Sequence, residues 1–139
     1  MKRPLVLHIT PHLPGGLGRI LLSTLKFSKN ITAAFAHEIV ITDEKHLTVK
    51  SREMFSKYSD CLHIGKNDSF IKEKMDKADI VQIEWWNHPL IYNFLTSFTF
   101  PPSRMILCSH VNGLSRPNIV TKNVVEFSDI FLAATKATK

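Results

Sequence analysis

The segment that decides the fold is residues 5–19, LVLHITPHLPGGLGR, which predicts a buried strand, a glycine-rich loop and the start of a helix. Residues 5–9 form an apolar run broken only by His8, as expected for a parallel strand covered on both faces. The prolines and glycines of residues 11–16 end this strand. Apolar residues then recur at near-helical spacing, which predicts a helix over residues 18–27.

The same alternation of apolar runs and helix-length segments continues to the end of the chain. Five further strands are predicted at residues 37–41, 61–64, 79–84, 105–108 and 130–133, with helices between them. Asp68 and Asn118 are predicted to cap two of these helices. The pattern predicts an α/β fold, a Rossmann-like doubly wound parallel sheet of about six strands in the order 3-2-1-4-5-6, with helices on both faces. Residues 1–139 are expected to form a single domain.

Composition and charge narrow the possible classes of protein. Hydrophobic residues make up 44% of the chain and charged residues 22%, as in soluble globular domains. The net charge of +6 favours anions, but the basic residues are scattered and no nucleic-acid-binding motif accompanies them, so we expect no nucleic-acid partner. Cys61 and Cys108 lie in apolar runs, which predicts buried thiols in a reducing compartment. Without a signal peptide or membrane-length apolar run, the chain is expected to be cytoplasmic.

Three loops that follow strands are the candidate ligand-binding positions, because open parallel sheets bind ligands beyond the carboxyl ends of their strands. The first is the glycine-rich loop, which matches neither a P-loop nor the dinucleotide-binding pattern; tight turns alone would explain one or two of its glycines. The second holds Glu84, Asn87 and His88 beside two tryptophans, a composition suited to sugar binding. For Trp86 we expect packing, and Trp85 is left open between packing and binding.

The third loop places His110 where the fifth predicted strand ends, between Ser109 and Asn112. This position makes His110 the foremost candidate for a catalytic side chain. Four other histidines, His8, His37, His46 and His63, are expected to be structural or exposed. We expect the three loops to converge on one cleft. The spacing of histidines and cysteines fits no zinc site and no serine-hydrolase motif, so no metal is expected.

Four segments together resemble the N-terminal domain of retaining GT-B glycosyltransferases of family 4. They are VLHITPHLPGGLGR at residues 6–19, DIVQIEWWNHP at 79–89, RMILCSHVNG at 104–113 and DIFLAAT at 129–135. The resemblance spans nearly the whole chain, in the order of that family. It implies the acceptor-binding half of an enzyme that transfers a sugar from a nucleotide-sugar to a glycan, lipid or other acceptor with retention and without a metal.

Roles for individual residues follow from the resemblance. Gly15, Gly16, Gly18 and Arg19 correspond to the loop that approaches the donor phosphate and the acceptor, and His110 corresponds to the histidine near the transferred sugar. Glu84, Asn87, His88 and Asn112 correspond to acceptor-side positions. We expect the donor-binding domain to be absent from this sequence, so that a missing C-terminal domain or a partner polypeptide would have to supply donor binding. We therefore expect the chain to be inactive alone. Peripheral contact with the inner face of a membrane is also consistent with the resemblance.

Two other functions compete with this interpretation. A stand-alone Rossmann-like module that binds a nucleotide or regulates another protein would have the same fold, since the fold does not determine function. A nucleic-acid module rests on the charge of +6 alone.

Overall fold

The computed structural model describes residues 2–133 and confirms the predicted sheet. Six parallel strands lie in the order β3-β2-β1-β4-β5-β6, which is the predicted order. Their bounds are Leu5–Thr10 for β1, Ala36–Ile41 for β2, Cys61–Ile64 for β3, Ile80–Trp85 for β4, Met105–Ser109 for β5 and Ile130–Leu132 for β6. The fold class is therefore α/β, with the doubly wound arrangement expected from the alternation of strands and helices.

Five α-helices connect the strands. They are α1 at Gly15–Phe27, α2 at Val49–Ser56, α3 at Asp68–Lys77, α4 at Pro89–Ser97 and α5 at Lys122–Glu126. A short π-helix, Ser28–Thr32, extends α1, and a 3-10 turn, Glu44–His46, follows β2. Within residues 2–133 no helix is both long and apolar enough to cross a membrane.

The strand register divides the side chains between two faces of the sheet, because register partners on neighbouring strands point to the same side. The face that holds His8 of β1 also holds Ile39, Glu84 and Cys108, and we call it the His8 face. Over β1 and β2 it is covered by α1 and α2, which form a buried cluster with Leu21, Leu25 and Phe55 at its centre.

The opposite face, which we call the Leu7 face, carries the larger core. Its strand residues pack against α3 and α4 in one cluster of Leu7, Ile9, Val40, Ile71, Met75, Val81, Ile83, Trp85, Ile91, Phe94, Phe98, Met105 and Leu107. Removing this apolar surface from water is the main driving force that holds the two helices on the sheet.

One part of the sheet is left bare by the described residues. On the His8 face, Ile80, Ile106, Ile130 and Leu132 belong to neither buried cluster of the described chain, and Ile130 and Leu132 are exposed. The helices of residues 2–133 therefore cover the His8 face over one half of the sheet only.

Several local predictions are wrong at the ends of elements. Helix α1 begins at Gly15 rather than at residue 18, and Gly15 enters it with a positive φ of 85°, which a glycine can adopt. Asn67, not Asp68, caps α3 by accepting a hydrogen bond from the Phe70 amide. Asn118 caps no helix, since α5 begins four residues later, after Thr121. The last residues of the fourth resembling segment, 134 and 135, lie outside the described residues.

One prediction about burial is also wrong. Cys61 is exposed rather than buried, because β3 lies at the edge of the sheet. Trp85, for which the sequence leaves packing and binding open, packs in the core and is 3% exposed. Trp86, for which the sequence predicts packing, is partly buried and packs against the rings of His12 and His88. The alternation of side chains along β4 explains this difference, since Trp85 is the last residue of the strand and points to the Leu7 face.

Candidate functional site

The three candidate loops meet at the carboxyl end of the sheet around one cavity of about 210 Å³. We call it the loop cavity. The first loop contributes His12, Pro14, Gly15, Gly16 and Leu17, the second contributes Trp86, and the third contributes His110 and Val111. The loops come together because β1, β4 and β5 are neighbours in the sheet.

The glycine-rich loop presents the N-terminus of α1 to this cavity. Gly15 has a φ of 85°, a conformation that favours glycine, and a side chain at Gly16 would meet no atom within 4 Å. No described side chain caps this helix, and its first turn has no acidic residue. Its free amide groups and positive dipole end therefore favour an anion or a hydroxyl oxygen.

The other two residues predicted in this loop lie elsewhere. Gly18 is buried inside α1, and a Cβ at this position would lie only 1.5 Å from the Leu13 carbonyl oxygen. Gly18 is thus required for the tight turn into the helix. Arg19 is exposed on α1 and is not among the residues that line the loop cavity.

His110 is held in the loop cavity by a buried carboxylate. Its Nε2 lies 2.6 Å from Glu84 Oε2, and Glu84 is 1% exposed. Burial alone would raise the pKa of Glu84, but hydrogen bonds from His110 and His8 outweigh it and lower the pKa to about 2. The ionised carboxylate can only accept, so Nε2 of His110 carries a hydrogen. In the neutral ring Nδ1 therefore offers its lone pair.

A chain of buried hydrogen bonds continues from Glu84 across the His8 face. His8 Nδ1 lies 2.9 Å from Glu84 Oε1, His8 Nε2 lies 3.0 Å from His37 Nδ1, and His37 Nε2 lies 2.6 Å from Ser28 Oγ. Burial, followed by the charge of His8, lowers the pKa of His37 to about 4. With neutral rings every bond has one donor and one acceptor: the Ser28 hydroxyl donates to His37, His37 to His8, and His8 to Glu84.

This chain makes Glu84 a fixed support for His110. The Gln82 amide donates a further hydrogen bond to Glu84 Oε1 at 2.8 Å, so the carboxylate accepts from His8, Gln82 and His110 together. A buried carboxylate with three donors has little freedom to rotate, and the imidazole that it holds is fixed with it.

A second group of histidines lies beside the loop cavity. The His12 ring contacts the rings of His46, Trp86 and His88, with centroids 5.3 to 5.8 Å apart. Burial lowers the pKa of His12, and nearby His88 and His46 lower it further. His12 Nδ1 and Trp86 Nε1 are both buried and have no hydrogen-bond partner among residues 2–133. Such atoms indicate a place where a polar ligand atom can bind.

The remaining predicted acceptor residues are not brought into the loop cavity. Glu84 lies beneath it as the support of His110. His88 caps α4 by accepting from the Leu90 amide, and exposed Asn112 accepts from the Leu114 amide within its own turn. Asn87 lines a different cavity, between α4 and α5.

Sequence reasoning missed three residues of this region. His12 and Trp86 line the loop cavity, and His8 holds Glu84 from below. A signal for His8 was present, because it is the only polar residue within the apolar run 5–9 and a buried polar group needs a partner. Nothing in the spacing of the histidines indicates that His12 meets His46 and His88.

One set of side chains in the described chain has the geometry of a metal site. The ligand atoms of Glu84, Cys108 and His110 lie within 4.8 Å of one another. However, Glu84 already accepts from three donors, and burial together with the Glu84 charge raises the pKa of the Cys108 thiol to about 12. A metal would have to displace the thiol proton of Cys108 and the hydrogen that His110 donates to Glu84. The arrangement therefore favours a hydrogen-bonded dyad of Glu84 and His110.

Comparison of the sequence with models of known protein families gives no match, and comparison with curated proteins gives none either.

Proposed function

We propose that this domain is the acceptor-side half of a glycosyltransferase and that the loop cavity holds a sugar unit at the transfer site. The observation that carries the proposal is the convergence of three post-strand loops on one cavity whose lining combines a fixed histidine, an uncapped helix N-terminus and two rings with unpartnered buried nitrogens. Together they offer both hydrogen-bond donors and acceptors, as a sugar requires.

The small volume of the loop cavity suits one part of a larger binding site. Complete small-molecule pockets measure roughly 300 to 1,000 Å³, whereas the loop cavity measures about 210 Å³. One sugar ring or one phosphate group suits this volume better than a whole nucleotide-sugar does. A donor-binding domain opposite the loops would complete the site in this proposal.

Each group in the loop cavity has a chemical role in the proposal. The lone pair on His110 Nδ1 accepts a hydrogen bond from a sugar hydroxyl, and Glu84 holds the ring in the required tautomer. The amides of Gly15 and Gly16 and the dipole of α1 stabilise the negative charge of the departing diphosphate. The chemistry requires no metal in this scheme. The cytoplasmic location, and contact with the inner face of a membrane, belong to the same proposal.

Binding of simple sugars to the chain itself tests this function. Maltose and glucose should bind weakly, with dissociation constants in the millimolar range, and should shift the NMR signals of His110 and of the Trp86 indole. His110→Gln should remove this binding, whereas His63→Gln, which changes a histidine also paired with a glutamate, should preserve it. Saccharide binding that is unchanged in His110→Gln would contradict the proposal.

A nucleotide-binding module is the second candidate, and one observation favours it. Asp43 lies two residues after the end of β2, in the region where Rossmann-like folds bind a ribose. It lines a cavity of about 510 Å³ with Lys45 and Lys66, beside a Thr42 hydroxyl that is buried and has no partner among the described residues. Micromolar binding of UDP or ATP to the chain, lost in Asp43→Asn, would support this candidate over the first.

A further inference from the structure

A large cavity lies between α4 and α5, on the Leu7 side of the sheet. It measures about 620 Å³, and we call it the α4–α5 cavity. Its walls are mainly apolar, with Trp85, Tyr92, Leu95, Ile119, Val124 and Phe127 as the large side chains. Its volume is within the range of pockets that enclose a small molecule.

We propose that the α4–α5 cavity binds the alkyl or acyl chain of an amphiphilic acceptor. The inference rests on the proposed function in one respect: the polar head of the same molecule would lie in the loop cavity. It narrows the acceptor from any glycan or lipid to a molecule with a hydrocarbon chain.

The chemistry of the walls favours a hydrocarbon chain over a charged ligand. Lys122 is the only charged residue among the described residues that line the cavity, and its Nζ lies 3.5 Å from Glu126 Oε1. The Lys122 side chain is 82% exposed, so the described lining offers no buried positive charge to a phosphate or a carboxylate. An apolar ligand, by contrast, gains free energy from every methylene group that it removes from water.

Exposed apolar side chains at the cavity point to the same class of ligand. Tyr92 is 57% exposed, Ile119 is 43% exposed and Phe127 is 37% exposed, although all three line the cavity. Contiguous exposed apolar surface next to a cavity is typical of a site for an apolar ligand or partner. A hydrocarbon chain lying along these side chains would cover them.

The two cavities share one loop, which is why one molecule can occupy both. Trp85 and Asn87 line the α4–α5 cavity, whereas Trp86 between them lines the loop cavity. Three consecutive residues thus separate a polar site from an apolar one. An amphiphile lying across residues 85–87 would place its head beside His110 and its chain between α4 and α5.

A series of alkyl maltosides tests the inference on the chain as it is. Hexyl, octyl and decyl maltoside are titrated below their micelle-forming concentrations and compared with maltose. Each added methylene group that enters the cavity should tighten binding by about two- to four-fold. Ile119→Lys should weaken decyl maltoside binding at least about ten-fold, and Tyr92→Lys serves as a second variant. Urea unfolding shows that each variant is folded.

Two control variants separate this site from other apolar surfaces. Ile31→Lys changes an isoleucine that is 69% exposed on the π-helix, and Leu132→Lys changes the bare part of the His8 face. Both should leave the dependence on chain length intact. If Leu132→Lys removes the dependence on alkyl-chain length and Ile119→Lys does not, the alkyl chain binds elsewhere and the inference is wrong.

The outcomes also distinguish this inference from the proposed function. One outcome is that maltose and decyl maltoside bind with equal affinity while both shift the His110 signals. That result would overturn the alkyl-chain site in the α4–α5 cavity and leave the sugar site in the loop cavity standing. If octanol binds as tightly as octyl maltoside and no sugar shifts the NMR signals of His110, the alkyl-chain site stands and the proposed sugar site fails.

Discussion

The same three residue types are combined twice in this sheet, with different consequences. Glu84 is the register partner of Cys108, and His110 follows two residues later; Glu38 is the register partner of Cys61, and His63 follows two residues later. The histidine Nε2 lies 2.6 Å from the glutamate in the first set and 2.8 Å in the second. We call them the central cluster and the edge cluster.

The surroundings of the two clusters differ in burial and in charge. In the central cluster the His110 and Glu84 side chains are 6% and 1% exposed, whereas His63 and Glu38 are 17% and 22% exposed. Lys74 pairs with Glu38 at 3.2 Å and neutralises it, while the partners of Glu84 among residues 2–133 are histidines and an amide. The central cluster also lies at the carboxyl end of its strands. Position, burial and the absence of a lysine or arginine partner among the described residues therefore distinguish a candidate site from an ordinary ion pair.

The reactivity of the two cysteines should show the largest difference between the clusters. Burial raises the pKa of Cys108 from 9.0 to about 12, and Cys61 is exposed. A rise of this size lowers the thiolate fraction by about a thousand-fold near neutral pH. With iodoacetamide at about pH 8, the folded chain should be alkylated at Cys61 at least a hundred-fold faster than at Cys108. Cys61→Ser and Cys108→Ser assign the two rates by mass spectrometry; similar rates would mean that Cys108 is accessible and ionisable.

Removing the two glutamate charges should affect stability unequally. Glu84→Gln places an amide among buried donors that need an acceptor, which should cost about 3 kcal/mol of unfolding free energy. Glu38→Gln should cost less, about 1 kcal/mol, because His63 and Lys74 are partly exposed and can be solvated in part. Urea unfolding measures both values. Equal losses in the two variants would show that burial does not separate the clusters.

Acid should weaken the central cluster more than the edge cluster. The folded pKa of Glu84, about 2, lies below its ordinary value of 4.5, so its contribution to stability is present above pH 4.5 and is lost as the pH falls towards 2. His37, with its pKa lowered to about 4, also disfavours the folded state as the pH falls from 6.5 to 4. Unfolding free energy measured from pH 7 to 2 should fall steeply in the wild type and in Glu38→Gln. A Glu84→Gln variant that keeps the full slope below pH 4.5 would contradict this assignment.

Salt should have the smallest effect and should act on the edge cluster. Ions screen solvent-exposed pairs and reach buried pairs poorly. Raising sodium chloride to about 1 M should therefore shift the imidazole nitrogen signals of His63 in NMR spectra and leave those of His110 nearly unchanged. A larger response at His110 would mean that water reaches Glu84.

The sequence was sufficient to predict the sheet because apolar periodicity is a property of consecutive residues. Residues 5–9 and 61–64 are examples, since each predicted run became a strand of the correct length within one residue. The strand order followed from the handedness of crossovers and needed no side-chain detail. Helix ends were less predictable, because Asn67 and Asp68 are both good caps and only the backbone geometry selects one.

Only those residues of the candidate site that directly follow a strand could be predicted from the sequence. His110, Gly15 and Gly16 line the loop cavity because each follows a strand near the centre of the sheet. The chain of hydrogen bonds from Ser28 through His37 and His8 to Glu84 depends on side-chain directions across three strands and the end of a helix. No local sequence pattern encodes these directions. Gly18 shows the opposite failure: a glycine in a promising loop is explained by the Leu13 carbonyl.

The bare half of the His8 face makes the two edges of the sheet unequal in how they exchange amide hydrogens with solvent. Both edge strands have one strand neighbour among the described residues, but β3 lies next to a sheet centre that is covered on both sides, whereas β6 lies in the uncovered half and exposes Ile130 and Leu132. Local opening of β6 therefore breaks few contacts, and its amides should exchange with deuterium first among the strands. Protection should increase from β6 through β5 and β4 and reach its maximum in β1.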